Sequence, residues 1–238
     1  MRRIFFVIRA AIVLLCIAEP AIADSFEDAV AAFVGRDYTT AVQLFRRLAE
    51  QGDVRAQNNL GEMYAEGQGA LRDFAEAEKW LRLAADRGNA RAQTSLGAMY
   101  VKGRGVEQNY AEAVKWYGLA AAQGLATAQI DLGAMYFNGR GVPQDYTEAM
   151  KWYALAANQS SPDAQFALGA FHQDGLGVPL DNVRALMWYS LAAQNYPLTE
   201  IEMRDSARKF GDELIAKLTP AEITEAQKLV REWKSTRH

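Results

Sequence analysis

The 238-residue sequence contains few of the residues that build disulfide scaffolds or metal centres: one cysteine and two histidines. A single cysteine excludes a disulfide framework within the chain, and so little cysteine and histidine argues against a metal site. Basic charge is not in excess either, since 26 lysine and arginine residues face 29 aspartate and glutamate residues. A mildly acidic chain is a poor candidate for binding a phosphate backbone. What remains, half hydrophobic and 23% charged, is the composition of a globular protein.

Long hydrophobic runs are also scarce, and the one that stands out covers residues 10–18. It follows a basic segment, precedes a small-x-small triplet that ends at Ala23, and is too short to cross a bilayer of about 30 Å. These features are typical of a secretory signal peptide over residues 1–23, with cleavage near Ala23-Asp24. We therefore expect an exported protein, in the periplasm or outside the cell. Its mature chain lacks cysteine, because Cys16 lies in the removed segment.

A period of 36 residues governs the middle of the chain. In each of four copies an Ala-Gln pair, a Leu-Gly pair, a Gly-x-Gly loop and a tryptophan recur in fixed phase. The Ala-Gln pairs begin at Ala56, Ala92, Ala128 and Ala164, and the tryptophans are Trp80, Trp116, Trp152 and Trp188. Apolar residues within a copy follow helical spacing, so each copy predicts two antiparallel helices joined at the Gly-x-Gly loop. Stacked helix pairs of this period form an α-solenoid.

The repeated residues also predict how the helices begin and pack. The glycine of each Leu-Gly pair is expected to let two helices approach closely, while the tryptophans and Ala-Ala pairs fill the seam between them. Each second helix has a predicted N-cap, followed in the first three copies by a glutamate that would complete a capping box. These N-caps are Asp73, Asn109, Asp145 and Asp181. Two more capping boxes, Thr199 with Glu202 and Thr219 with Glu222, predict helices beyond the last repeat.

Residues 126–157 nearly spell the pattern A-x-A-Q-x-x-L-G-x-M-Y-x-x-G-x-G-V-x-x-D-Y-x-x-A-x-x-W-Y-x-x-A-A. The chain therefore resembles the Sel-one-like repeat family, a relative of the tetratricopeptide repeat. The resemblance implies an all-α, right-handed solenoid of antiparallel helix pairs, about 12 helices in all, with modified capping helices at both ends. The expected organisation is a signal peptide (1–23), an N-terminal capping pair (24–52), four repeats (53–88, 89–124, 125–160, 161–196) and C-terminal capping helices (197–238).

Family members are mostly adaptors and regulators that bind other proteins, so the resemblance implies a partner-binding concave face lined by first-helix residues near the Leu-Gly pairs. The candidate groove residues are Asn58, Glu62, Thr94, Ala98, Val101, Ile130, Ala134, Phe137, Phe166 and Ala170. The apolar members of this set have a second interpretation, contact with the next repeat, which the sequence leaves open. One cysteine-rich branch of the family is reported to bind penicillins. That branch carries a paired cysteine in each repeat, which this mature chain lacks.

Other chemistry finds little support. Acidic residues on successive first helices, among them Glu62 and Asp131, favour a solvated or ligand-facing surface over the paired carboxylates of glycoside hydrolysis. A row of in-phase lysines on the second helices, Lys79, Lys115 and Lys151, indicates an exposed face, with a docking stripe for an acidic partner as the alternative. No Ser-His-Asp set appears, and the pattern predicts no cofactor and no metal.

The sequence thus predicts a non-enzymatic adaptor or regulator that binds a protein or peptide through its concave face. The extracytoplasmic domain of a membrane protein is one possible partner class, while nucleic acid binding and membrane insertion of the mature chain are not expected. Two alternatives stay open at this point. One is an enzyme or binder of cell-wall material, such as a muropeptide or β-lactam, and the other is a structural assembly scaffold.

Overall fold

The computed structural model describes residues 25–235, which form an all-α solenoid of twelve helices. The predicted signal peptide, residues 1–23, lies outside the described residues. The helices are α1 (Phe26–Val34), α2 (Tyr38–Glu50), α3 (Val54–Glu66), α4 (Phe74–Asp86), α5 (Ala90–Lys102), α6 (Tyr110–Ala122), α7 (Ala126–Asn138), α8 (Tyr146–Ala157), α9 (Pro162–Asp174), α10 (Asn182–Asn195), α11 (Ile201–Ile215) and α12 (Pro220–Ser235). Successive helices from α1 to α11 pack on each other, and α12 packs on α10. None of the described helices is long and apolar enough to span a membrane.

Each repeat pair is closed by the glycine of its Leu-Gly motif, as the sequence predicts. A Cβ added to Gly97 would stand 2.6 Å from the Tyr117 ring, and one added to Gly169 would stand 2.7 Å from the Tyr189 ring. Both distances are far below van der Waals contact, so any larger residue would push the two helices apart. The seam is therefore filled by the residue after each tryptophan, which the sequence interpretation had not singled out.

The tryptophans themselves lie less deeply than predicted in the middle of the stack. Trp80 and Trp188 are buried, but Trp116 and Trp152 are only half-buried. The indole Nε1 of Trp80 donates to the Glu76 carboxylate at 3.1 Å. Truncation of Trp80 or Trp188 to alanine is therefore expected to lower stability more than truncation of the other two, since a whole buried ring would be removed.

A glutamine ladder joins each repeat to the one before it. The Gln93 amide nitrogen donates to the Ala85 carbonyl oxygen at 3.0 Å, and the Gln129 amide nitrogen donates to the Ala121 carbonyl at 3.2 Å. The Gln93 amide oxygen in turn accepts from Gln123 Nε2 at 2.8 Å. These buried bonds satisfy polar groups at the inter-repeat seam and explain why glutamine recurs at this position.

The predicted N-caps are present, but the predicted capping boxes are incomplete. The side chains of Asp73, Asn109, Asp145 and Asp181 all accept from backbone N–H groups of the first turn. The glutamates three residues later do not reach back to the caps. They bind the lysines three residues further along. The backbone N–H groups of the caps donate instead to carbonyl oxygens of the preceding helix, as Asp73 does to Tyr64 at 3.0 Å.

The two capping boxes predicted after the last repeat have different outcomes. Thr219 and Glu222 form theirs: the Glu222 carboxylate accepts from the Thr219 backbone N–H at 2.8 Å. The box predicted for Thr199 and Glu202 is wrong, because α11 begins after Glu200, which makes no side-chain cap bond. The start of α11 is thus shifted by one residue from the sequence expectation.

The C-terminal helices cover the end of the stack, and both pack on α10. Trp233 of α12 contacts Trp188 edge-on, with ring centroids 4.7 Å apart. Met187 and Leu191 of α10 join the same apolar cluster as Val230 of α12. Position 187 is a lysine in each earlier copy, so the change to methionine marks the one second helix that another helix covers.

Candidate functional site

The first helices α3, α5, α7 and α9 present a continuous row of partly or fully exposed residues, which we term the first-helix face. It contains four positions per repeat, each 36 residues from its counterpart in the next. Its residues are Arg55, Asn59, Glu62, Glu66, Arg91, Ser95, Ala98, Lys102, Thr127, Asp131, Ala134, Asn138, Asp163, Ala167, Ala170 and Asp174. By the tetratricopeptide resemblance this is the concave side of the solenoid.

Four of the ten predicted groove residues lie on the first-helix face: Glu62, Ala98, Ala134 and Ala170. These occupy the same position in four successive repeats and are all half-buried. Three of the four are alanines, so the middle of the face has a floor of small side chains. A partner side chain could approach the helix backbones closely along this line.

The two predicted aromatic anchors are engaged by the chain's own packing. Phe137 lies 5.6 Å from the Phe171 ring and 5.5 Å from the Tyr146 ring, measured between centroids. Phe166 lies 5.2 Å from Tyr189 and 5.5 Å from Phe210 of α11. These contacts favour the alternative that the sequence left open, contact with the next element of the stack.

The other four predicted residues lie on the packed sides of their helices. Asn58 is buried. Thr94 Oγ1 donates to the Ala90 carbonyl oxygen of its own helix at 2.9 Å. Val101 and Ile130 pack against the apolar clusters of adjoining helices. One residue is about 100° around a helix, so the residues that follow Asn58, Thr94 and Ile130 point in a different direction from these three.

Glu62 and Ser95 connect the first two repeats across the first-helix face. The Ser95 hydroxyl donates to the Glu62 carboxylate. Burial raises the pKa of Glu62 above its usual value, and the Ser95 hydrogen bond and the charge of Arg91 act against that rise. The Glu62 carboxylate is thus a partly desolvated anion that already has a partner within the chain.

Asp131 lies on this face, and the groove prediction did not include it. It takes the position of Ser95 one repeat later, is half-buried, and makes no hydrogen bond or ion pair within residues 25–235. Burial raises its pKa to about 6, with the Lys102 charge acting in the opposite direction. Burial raises the pKa values of Tyr117 and Tyr153, and the charge of Asp131 raises them further. Both phenols therefore lie near the Asp131 carboxylate.

The signal that could have found Asp131 is the repeat itself. Its counterparts are Asn59, Ser95 and Ala167, all polar or small, whereas the position before it varies from asparagine to phenylalanine. A position that stays polar or small in every copy is more often solvent-facing than one that changes to isoleucine and phenylalanine. The sequence interpretation noted Asp131 as ligand-facing but did not include it in the groove.

The first-helix face ends at its N-terminal side in a small apolar cavity of about 170 Å³. Phe33 of α1 and Met63 of α3 line it, with Asn59 and Glu62 on its polar edge. An enclosed apolar volume beside polar groups is the arrangement that holds a single partner side chain.

The opposite surface, formed by the outer sides of α4, α6 and α8, is termed the second-helix face. Its lysines form ion pairs within their own helices: Lys79 with Glu76 at 3.1 Å and Lys151 with Glu148 at 2.7 Å. Leu83, Leu119 and Leu155 stand exposed beside them. The charges on this face are balanced internally, and the described residues contain no group of three metal-ligating side chains on either face.

A family model for the Sel1 repeat matches residues 31–53, 54–89, 90–125, 126–161 and 162–196. The chain belongs to the Sel1 repeat family. Sel1 repeat proteins generally mediate interactions between proteins and are generally not enzymes. The resemblance inferred from the sequence is thereby confirmed, and the leading pair counts as a shortened fifth repeat.

Solved Sel1-type structures align with this chain. The structure of c5321, a protective antigen present in uropathogenic Escherichia coli strains and displaying an SLR fold, is 40% identical with a TM-score of 0.68. The match covers 71% of this chain but only 37% of that protein. A Sel1 repeat protein from Oxalobacter formigenes is 29% identical, with a TM-score of 0.69, over 86% of this chain and 85% of its own.

More distant similarity extends to the fold alone. A Sel1 repeat protein from Klebsiella pneumoniae subsp. pneumoniae is 21% identical, with a TM-score of 0.52, over 79% of this chain and 90% of its own. A comparison with curated proteins gives no match. The family and the fold therefore come from the repeat model and the solved structures together.

Proposed function

We propose that this Sel1 repeat protein is an exported, non-enzymatic adaptor that binds a protein or peptide through its first-helix face. The observation that carries the proposal is Asp131, a half-buried carboxylate with no partner among the described residues. Burying an unpaired charge destabilises a fold, so a chain that retains one gains something other than stability from it. A partner that supplies a basic side chain would neutralise it.

The surroundings of Asp131 suit an incoming side chain. Ala98 and Ala134 stand at the small-residue position of the same face, and the hydroxyls of Tyr117 and Tyr153 make no hydrogen bond within the described part of the chain. Two phenol hydroxyls and a carboxylate together offer acceptors for the several N–H donors of a lysine or arginine. The apolar cavity beside Phe33 would take a second anchor of the same partner.

Export is the second part of the proposal. It rests on the signal-peptide pattern of residues 1–23, and it agrees with the description of the E. coli relative as a protective antigen. Expression in the native host followed by fractionation and N-terminal sequencing tests it. We expect a mature chain that begins at or near Asp24 in the periplasm or medium, and a retained, uncleaved chain in the cytoplasm would contradict export.

Site-specific photocrosslinking in cells tests the binding face. A photoreactive amino acid placed at Ala98 or Ala134 should give discrete protein adducts, because both positions lie on the first-helix face. The matched controls are Leu119 and Leu155, which are exposed on the second-helix face. Adducts from the control positions alone, or from none of the four, would contradict the proposed function.

A further inference from the structure

The end of the solenoid contains a second concave feature, a cleft between α10 and α11 with a volume of about 380 Å³. Its walls include Leu186 and Tyr189 of α10 and Arg204 and Gly211 of α11. The volume falls within the range of sites that hold small ligands or a few side chains. This cleft is separate from the first-helix face. One wall, α10, is a second helix, and the other wall, α11, lies beyond the last repeat.

The glutamine ladder stops before α11, where the cleft lies. Between earlier repeats a buried glutamine closes the seam, as Gln165 does where its Nε2 approaches the Ala157 carbonyl oxygen at 3.5 Å. The residue one period after Gln165 is Ile201, and its side chain is 54% exposed. No glutamine therefore bridges α10 and α11, which pack on each other through apolar side chains beside the cleft.

Arg204 brings to this cleft a cation that has a long ion pair with Asp205 and no hydrogen bond at Nε. Its side chain is 16% exposed, and its Nε is buried with no hydrogen-bond partner. The nearest carboxylate oxygen, Asp205 Oδ1, lies 3.9 Å from Nε, which is beyond hydrogen-bonding distance. Arg208 and Asp212 also line the cleft, and Arg208 pairs with Asp205 at 3.4 Å. A guanidinium edge whose Nε–H makes no hydrogen bond is suited to donate to both oxygens of a carboxylate.

Apolar side chains complete the cleft. Leu186 and Tyr189 lie at its base, and Leu198, 80% exposed, stands at its opening. Gly211 lines one wall of the cleft and has no side chain to fill it. A Cβ added there would meet only Leu186 Cδ1, at an ordinary van der Waals distance of 3.6 Å. The chain's own packing therefore does not require this glycine, unlike Gly97, and a glycine inside a helix is unfavourable relative to alanine.

We propose that the α10–α11 cleft binds an acidic peptide segment, in which an aspartate or glutamate pairs with Arg204 and an adjacent large apolar residue lies against Leu186 and Tyr189. With two arginines against one aspartate, Asp212, the partly apolar cleft is net basic and differs in charge from the first-helix face with its Asp131. The chain would then hold two partner segments, or two parts of one partner, at sites of opposite charge.

Selection from a library of displayed random seven-residue peptides tests this site, with the full mature chain as bait. We expect enriched peptides that pair an acidic with a large apolar residue, and their loss when Arg204→Met replaces the wild-type bait. Methionine keeps the apolar stem of the side chain and removes only the guanidinium. Arg184→Met, at an exposed arginine of α10 that does not line the cleft, is the matched control and should leave the selection unchanged.

Fluorescence titration of one enriched peptide makes the test quantitative. Replacing its acidic residue by the amide, or Arg204 by methionine, should each weaken binding by about tenfold or more. Gly211→Ala should also weaken binding while raising the melting temperature, and Gly118→Ala, at a helix glycine with no neighbour within 4 Å, should raise the melting temperature alone. No enrichment, enrichment unaffected by Arg204→Met, or enrichment lost only with Asp131→Asn would overturn the proposal.

Discussion

The two faces of the same repeats differ in how their charges are balanced. On the second-helix face the lysines are paired within their helices, as Lys115 is with Glu112 at 2.5 Å. On the first-helix face Glu62 has only the Ser95 hydroxyl, and Asp131 has no hydrogen-bond or ion-pair partner within residues 25–235. A surface whose polar groups are satisfied gains little from a partner, whereas one with a desolvated carboxylate does.

On the second helices, the same repeated leucine is exposed in one repeat and buried in another, depending on whether a further helix packs on it. Leu155 of α8 is 45% exposed, while Leu191, its counterpart in α10, is 1% exposed because α12 packs there. The same residue in the same phase therefore has two different roles. Position in the stack, rather than the repeat pattern, decides which leucines contribute to stability.

Leu191→Ala tests that distinction with the largest expected effect. Removing its buried side chain should lower the free energy of unfolding by about 3 kcal/mol, the usual cost of a cavity in a packed core. Leu155→Ala should change it by less than about 0.5 kcal/mol, because that side chain is exposed. Urea unfolding of both variants, followed by circular dichroism, measures the difference, and equal losses would contradict the covered and uncovered assignment.

Asp131→Asn should increase stability, with an effect that depends on pH. The pKa of Asp131 in the folded state, about 6, lies above the unfolded value, so ionisation costs the folded wild type stability as pH rises from about 4 through 6. The variant has no such cost. We expect it to be more stable by about 1–2 kcal/mol at pH 8, allowing for screening of a half-exposed group, and equal to wild type at pH 4.

The groups near Asp131 could also titrate in that pH series. Lys102 and the phenols of Tyr117 and Tyr153 are the groups whose charges couple to Asp131. The two phenols, whose pKa values are raised, stay neutral between pH 4 and 8, so the expected titration belongs to Asp131. A stability gain that is the same at both pH values would show that the carboxylate is not desolvated.

Lys115→Ala has the smallest expected effect. The lysine is exposed and its ion pair with Glu112 is screened by solvent. Loss of the pair should change the free energy of unfolding by less than about 0.5 kcal/mol, measured by the same urea titration. A loss above about 1 kcal/mol would mean that the second-helix face depends on its ion pairs, and the contrast between the faces would weaken.

Much of the fold could be predicted from the sequence, because the repeat dictates it. Gly97 and Gln93 have contacts that recur in each copy, so their spacing alone indicates stacked helix pairs. The candidate site could be predicted only in part. The face came from resemblance, and a shift of one residue separates the packed Ile130 from the half-exposed Asp131. Helical periodicity does not specify which of two adjacent positions meets the next repeat, since that depends on the angle at which repeats stack.

The ends of the chain were less predictable for the same reason. The opening between α10 and α11 arises where the repeat stops, and no pattern in the sequence describes how a non-repeated helix will meet the last regular one. Phe166 illustrates this, because its partner Phe210 lies on α11, outside the repeat. The repeat pattern predicts Phe166 as a groove anchor, but at the end of the stack this residue packs against α11 instead.

The most direct test of the central claim is the affinity of the crosslinked partner for wild type and Asp131→Asn at pH 8. We predict that Asp131→Asn is more stable than wild type yet binds at least about tenfold more weakly, because the Asp131 carboxylate pairs with a basic group of the partner. Lys115→Ala should bind as wild type does. An Asp131→Asn chain that gains stability and keeps its full affinity would contradict the account.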